Sequence, residues 1–348
     1  MDYTLNLNKR VPDFKNMQLV LEKKVPKRPT LFEFFLNGPL YNRLAVNINS
    51  KSDSHDTARW FTKAYTAAGY DYVTLSGASN YTFPVHTVKE SKSSYSLNGG
   101  DIVDRAGFDS IKDEWMDPND ADYSTLEAIN DDLPDGMKVI AYGPGGVLEN
   151  VIALCGYDNL CYMVYEDEQL VYDLFEKVGS GLVKFYEICG KYKSVGAMIS
   201  NDDWGFKTQP MLSPEQCRKY LFPWHKKIVE TIHAAGVPSI LHSCGNYSEI
   251  IDDVIDDMKY DGRHSYEDAI KPVEDCYEEL VGRIAVMGGI DVNFIATATP
   301  EEVFNRSRKM IERTSSRGGW ALGTGNSVPE FIPQENYLAM IDAVLSLD

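Results

Sequence analysis

Along the chain, short apolar runs rich in β-branched and aromatic residues alternate with longer stretches whose apolar positions recur at helical spacing. The first pattern predicts strands and the second amphipathic helices. Eight runs fit the strand pattern: Thr30–Leu36, Tyr70–Ser76, Met137–Tyr142, Val195–Asn201, Pro238–Leu241 with His242 at its end, Tyr260–His264, Arg283–Met287 and Gly319–Leu322. The intervening stretches carry helix starts. Ser124-x-x-Glu127, Ser213-Pro214-x-Gln216 and Thr299-Pro300-x-Glu302 each place a hydroxyl three residues before a carboxylate or amide, and two have proline at the first helical position. Gly236 after "IVETIHAA" predicts a helix end.

Strands alternating with helices imply right-handed crossovers and a parallel sheet. Eight such units predict an α/β fold, a closed (β/α)8 TIM barrel over residues 26–348, with residues 1–25 as an N-terminal arm. The chain of 348 residues is long enough for one large barrel core. An open doubly wound sheet is the competing architecture. No Gly-x-Gly-x-x-Gly follows an early strand, and "YGPGG" at 142–146 is not a phosphate-binding fingerprint.

In such a barrel chemistry sits where strands end. The residues at those positions are Asn37, the aromatic loop "SNYTFPVH" with Tyr81 and Phe83, Tyr142, the run Asp202-Asp203-Trp204, His242-Ser243-Cys244, His264 with Glu267 and Asp268 behind it, and Asn326. Period-two alternation puts His242 and Cys244 on one side of their strand, as two ligands of one metal ion require. The same pair also fits an ordinary strand end, with a backbone-bonded histidine and a thiol acting as a small hydrophobe. Asp202 and Asp203 suit either helix capping and loop solvation or a carboxylate facing the substrate; as successive residues they point to opposite sides, so one of the two is expected to face inward. Tyr81 and Phe83 suit either lid packing or a pocket for a planar substrate, and Tyr142, Trp204, Asn37 and Asn326 are further candidates for substrate contact.

Charge narrows the possibilities. Lys and Arg number 34 against 52 Asp and Glu, a net charge of −18 that opposes nucleic acid and anionic lipid. No apolar segment approaches the ~20 residues of a membrane span, and "MDYTLNLNKR" lacks the order of a signal peptide, so a cytoplasmic protein is expected. The cysteines at 155, 161, 189, 217, 244 and 276 have no framework spacing, which predicts free thiols.

The segments "SNDDWGFKTQPMLSPEQCRKYLFPWHKKIVETIHAAGVPSILHSCGN", "VMGGIDVNFIATATPEEV" and "GGWALGTGNSVPEFIPQENYLAMIDAV" resemble the uroporphyrinogen decarboxylase superfamily, which includes decarboxylases and zinc- and corrinoid-linked methyltransferases. Features that the resemblance associates with decarboxylation are replaced. The arginine-rich loop after strand one reads "FFLNGPLYNR", the strand-two aspartate gives way to "TLSGAS", and a strand-eight Gly-His-Gly is Gly323-Thr324-Gly325. The methyltransferase branch carries His-x-Cys after strand five, matched by His242 and Cys244, and binds zinc there. The cysteine near strand eight found in members that methylate coenzyme M has no counterpart between Thr324 and Ser327. The resemblance therefore implies a methyltransferase that takes a methyl group from a small methoxylated, aromatic compound and passes it to the Co(I) of cobalamin on a separate corrinoid protein. A thiol methyltransferase of the coenzyme M type and a decarboxylase are the alternatives. Asp202, Asp203, His264 and Glu267 are the candidates for catalytic acid or third zinc ligand. The pattern Asp-x-His-x-x-Gly for corrinoid binding is absent, since Asp53-Ser54-His55 is followed by Ala58, so the corrinoid belongs to a partner; a homodimer is a further expectation.

Overall fold

The computed structural model describes residues 10–45, 54–85 and 100–347. Seven parallel strands follow one another in chain order: β1 (Tyr72–Ser76), β2 (Lys138–Tyr142), β3 (Val195–Asn201), β4 (Ser239–His242), β5 (Gly262–His264), β6 (Ala285–Met287) and β7 (Trp320–Ala321). Their residues are buried almost throughout, as expected of strands covered by helices on one face and filling a barrel on the other. The sheet is curled, α/β and TIM-barrel-like.

The predicted first strand, Thr30–Leu36, shortens to a single bridge, Leu31 to Leu322, with Phe32 N donating to the Leu322 carbonyl and Leu322 N to the Thr30 carbonyl. On its other side hydroxyls replace a ladder. Tyr72 donates to the Glu33 carbonyl at 2.8 Å, and Thr74 and Tyr65 donate to that of Phe34 at 2.6 and 3.0 Å. Phe34 and Phe35 stack at 3.9 Å and both line the main cavity, which a strand with alternating side chains would forbid.

Two predicted capping boxes form, Ser213 with Gln216 and Thr299 with Glu302. The third does not: Ser124 is the first helical residue, and Asp122 accepts its N–H at 2.9 Å. Gly236 lies just past the helix Phe222–Ala234 at φ +79°, the left-handed stop expected there.

Residues 1–9 of the predicted arm lie outside the described residues. From Arg10 onward the segment is built into the base of the barrel. The helix Lys15–Leu21 buries Met17, Val20 and Leu21, and Phe14 and Leu21 press on Gly196 and Gly262 at the starts of β3 and β5. All six cysteines are free. Among the described residues no helix is long and apolar enough to cross a membrane.

Candidate metal centre at the barrel mouth

Parallel register places Asn201 beside His242 and His242 beside His264. Alternation then sorts the following residues. The Asp202 N–H still donates to the His242 carbonyl, so Asn201 and Asp203 face the cavity while Asp202 points into the helical layer. His242 and Cys244 face the same cavity, and Ser243 between them bonds the Asp202 carbonyl. The loops after β3 and β4 touch at Gly205 and Gly245. Gly245 has φ +107°, and a Cβ there would lie 2.4 Å from the Gly205 backbone, so only glycine allows this approach.

One donor atom each of Asp203, His242 and Cys244 lies within 4.8 Å of the others. The surroundings prepare each of them. Asp203 Oδ1 accepts the Cys244 N–H at 2.8 Å, leaving its second oxygen available. Asn326 Nδ2 donates to Cys244 Sγ at 3.3 Å, and its own Oδ1 is fixed by the Ser327 N–H at 2.7 Å. The Ser265 hydroxyl stands 3.7 Å from the same sulfur.

The histidine is oriented by a relay. His264 Nε2 faces the Thr324 carbonyl at 3.1 Å, and a carbonyl can only accept, so that nitrogen carries hydrogen. Burial pushes His264 down to about 4, so it is neutral and its Nδ1 is a bare acceptor. His242 Nδ1, 2.8 Å away, must then donate, which leaves His242 Nε2 with an exposed lone pair for the cavity. Burial first, then the neighbouring His264 and the Arg263 charge, which disfavour a second cation there, hold His242 well below its ordinary value, in the neutral form a metal needs. Replacing His264 with Phe removes the acceptor that fixes this tautomer. Zinc affinity should fall about 10- to 100-fold in competition with a chromophoric chelator, while the fold persists.

The donor set suits zinc on electrostatic grounds too. Burial, then the neighbouring Asp203 charge, push the Cys244 thiol well above its usual range, and burial raises Asp203. Two acids crowded in a buried site resist ionising together, and a divalent cation between them reverses that preference. Nitrogen, sulfur and oxygen donors are the set zinc takes, and these three residues would hold it.

Behind the relay stands Glu33, which sequence reasoning missed. It is fully buried, and its carboxyl meets both the N–H and the hydroxyl of Thr324 at 2.7 Å. The Thr324 hydroxyl also contacts the Asn326 carbonyl. One hydroxyl hydrogen cannot serve both oxygens, and a protonated Glu33 supplies the second. Burial pushes Glu33 up to about 8 from an ordinary 4.5. Between those pH values the unfolded chain has lost a proton that the folded chain keeps, so stability falls as pH rises through that window and is unaffected below it. Glu33→Gln keeps the hydrogen bonds and removes the charge. Urea unfolding at successive pH values should show a flatter profile for the variant and, at pH 8, greater stability than the unmodified chain by a few kcal/mol.

Several residues expected at the site are elsewhere. Asp202 has no exposure: its oxygens accept the N–H groups of Leu148 and Glu149, both at 2.9 Å, and meet His225 Nε2 at 2.8 Å. It caps the helix Val147–Cys155 instead of facing substrate. Asp202→Ala should cost about 3–5 kcal/mol in urea unfolding, because it strands buried donors. His264 is buried behind His242, with both nitrogens engaged, so it cannot serve as a third ligand or proton donor in this arrangement. Asn37 caps the helix Gly38–Leu44 and donates to the Pro329 carbonyl. Trp204 is wholly buried against His225 and Phe222. Tyr81 and Phe83 pack on each other, with Tyr81 stacked on Phe185 and Phe83 against Trp115, so they form core and not pocket; His86 of that loop lies outside the described residues. Tyr142 stands edge-on behind Phe34 and Phe35. Glu267 lines the cavity, 3.3 Å from Lys207, and Asn326 lines it beside the sulfur.

The cavity has a volume of about 1280 Å³. Phe34, Phe35, Phe294, Phe331 and Tyr266 give it aromatic walls, and Glu149, Asp203, Glu267, Asp268 and Asp291 face Lys207 across it. Asn201 Oδ1 is buried there without a hydrogen-bond partner. The doubled phenylalanine in "TLFEFFL" was the readable signal for Phe34 and Phe35; Asn201, the last residue of its run, had none beyond position.

Known proteins resemble this chain in sequence and in fold. The family described as Uroporphyrinogen decarboxylase (URO-D) matches residues 112–347. A methylated-thiol–coenzyme M methyltransferase of Methanosarcina mazei is 22% identical over 191 residues, 55% of this chain and 48% of that protein. A uroporphyrinogen decarboxylase of Anaeromyxobacter dehalogenans is 25% identical over 226 residues, 63% of this chain and 61% of that protein. The chain thus matches about half to three-fifths of the length of these relatives. The solved structure of a methyltransferase from M. mazei superposes with a TM-score of 0.70 over 97% of this chain and 99% of that one, at 13% identity, a likeness of fold.

Proposed function

The chain belongs to the uroporphyrinogen decarboxylase (URO-D) family, and from that premise we propose that it is a zinc-dependent methyltransferase. In this reading it takes the methyl group of a small methoxylated, aromatic compound and delivers it to the Co(I) of a corrinoid held by a separate protein. The observation that carries the reading is the cluster of Asp203, His242 and Cys244 opening on an aromatic-walled cavity.

An ether methyl group is a poor electrophile because its leaving group is an alkoxide or phenoxide. Zinc bound by these residues would act as a Lewis acid on the departing oxygen. The chain's own residues supply the rest. His242, Cys244 and Asp203 hold the ion, while Asn326 and Ser265 steady the sulfur. Phe34, Phe35 and Phe294 flank a ring, and Asn201 Oδ1 offers an acceptor to a phenolic group. Glu267 at the mouth returns a proton to the oxygen, a role Asp203 could take only in place of ligating the ion. The C–O bond breaks as a C–Co bond forms, cobalt contributing the electron pair. About 1280 Å³ exceeds the usual span of small-ligand pockets, which leaves width for a corrinoid to approach.

The lining also weighs against decarboxylation of a polycarboxylate. Five acidic side chains and one lysine line the cavity, and even with Asp268 held by Arg306 and Glu267 beside Lys207 the lining keeps an acidic excess that disfavours an anionic substrate. A thiol, the kind of substrate in the name of the M. mazei relative, would be activated by the same donors; assays in both directions separate the two. Methyl donors screened with a Co(I) corrinoid protein, followed through the visible spectrum of the cobalt, test the proposal. Donor-dependent conversion to methyl-cobalt supports it, and formation of coproporphyrinogen from uroporphyrinogen would overturn it.

A further inference from the structure

Arg263 lies on β5 between Gly262 and His264, and alternation turns it away from the barrel interior that His264 faces. It is 5% exposed. Its guanidinium is sandwiched by aromatic rings, 4.0 Å from the Tyr247 centroid and 4.7 Å from that of Tyr266. Among the described residues no carboxylate pairs with it, and its Nε is buried without a hydrogen-bond partner. The Tyr266 hydroxyl is buried and without a partner too.

The contrast with other cations is sharp. Arg306 is held by Asp268 and Glu274, Arg283 by Asp252 and Asp256, and Lys271 by Glu279. A buried positive charge without a counter-charge is costly in any protein, and more conspicuous in one with a net charge of −18. Arg263 borders a cavity of about 210 Å³ between the loops that follow β4 and β5, distinct from the mouth that holds the metal cluster. Ser248 and Ser265 add hydroxyls to its wall, and Glu267 and Glu279 stand at its edge.

We infer that this cavity is a second binding site, which takes the carboxylate of a small organic acid on the edge of the Arg263 guanidinium. A planar guanidinium stacked between rings presents its N–H groups in one plane, the geometry a carboxylate accepts. The volume limits the ligand to a few heavy atoms; Lys271 and Arg283, already paired with carboxylates, line the cavity together with Glu267 and Glu279, so the planar fork of Arg263 and not net charge selects a carboxylate over phosphate. The inference does not rest on the proposed methyl transfer, because its anchor is Arg263 and not Asp203, His242 or Cys244; Tyr266 and Glu267 border both cavities.

The test uses the whole chain with acetate as probe, chloride at equal ionic strength as control and inorganic phosphate as comparator. With arginine side chains labelled in nitrogen-15, the Arg263 Nε–H resonance, identified by its loss in Arg263→Met, should move saturably with acetate, with a midpoint of about 10 mM or below. The thermal midpoint should rise with acetate beyond the chloride control in the unmodified chain and not in Arg263→Met. Arg263→Lys keeps the charge but loses the fork, and should bind about tenfold more weakly even if Arg263→Met fails to fold. An unmoved Nε resonance, equal binding by Arg263→Lys, or tighter binding of phosphate than acetate would overturn the inference.

Discussion

Cys244→Ser and His242→Ala should each abolish stoichiometric zinc binding, while the fold survives. The unmodified chain should hold about one zinc after purification and dialysis. Serine replaces a soft thiolate with a hydroxyl that does not ionise at neutral pH, and alanine removes the His242 nitrogen whose lone pair faces the cavity. Removing a side chain that only orients a ligand costs about 10- to 100-fold in affinity, so loss of a direct ligand should cost more than about 100-fold. His242 is the last residue of β4 and Cys244 lies beyond it, so both side chains sit at the mouth and not at the base of the barrel, and circular dichroism and the urea midpoint should change little. Metal analysis by atomic emission, paired with those two measurements, checks this. Full zinc retention in both variants would place the metal elsewhere.

The second large effect concerns Asp203. Asp203→Asn preserves shape and can still accept the Cys244 N–H through its carbonyl, but removes both the ligand charge and the acid. Methyl transfer should slow by about 10²- to 10⁴-fold. Glu267→Gln separates the roles. If Glu267 is the proton donor, that variant loses rate while keeping its zinc; if Asp203 is, only Asp203→Asn loses rate beyond what its weakened metal affinity explains. Asp202→Asn should leave the chemistry almost untouched, because Asp202 serves the helix Val147–Cys155 and His225.

The sequence made the sheet legible because its strands are short, apolar and bounded by helix signals. Thr30–Leu36 was the exception. Its composition is that of a strand, but two adjacent phenylalanines go to one cavity, and hydroxyls from Tyr72, Thr74 and Tyr65 satisfy its carbonyls in place of a neighbouring strand. Such long-range side-chain bonds leave no local pattern. Period-two alternation carried the site: it paired His242 with Cys244 and separated Asp203 from Asp202. It could not give depth. His264 and Trp204 stand near strand ends in sequence, yet burial removes both from the cavity. Asn37, Tyr81 and Phe83 were misplaced for a related reason, since capping and ring packing absorb residues that look available in a loop. Glu33 was hidden inside an apolar run, where a single carboxylate reads as a solvent-facing strand position. Its partner Thr324 lies 291 residues away in the chain.

The most direct measurement is a single anaerobic assay. Zinc-loaded and chelator-stripped protein are mixed with a methoxylated aromatic compound and a corrinoid protein reduced to Co(I), and the cobalt spectrum is followed. The account predicts conversion to methyl-cobalt with release of the free phenol, lost on stripping, restored by zinc, and absent from Cys244→Ser. Demethylation that proceeds equally without corrinoid, or conversion that is indifferent to both stripping and the Cys244 substitution, would contradict it.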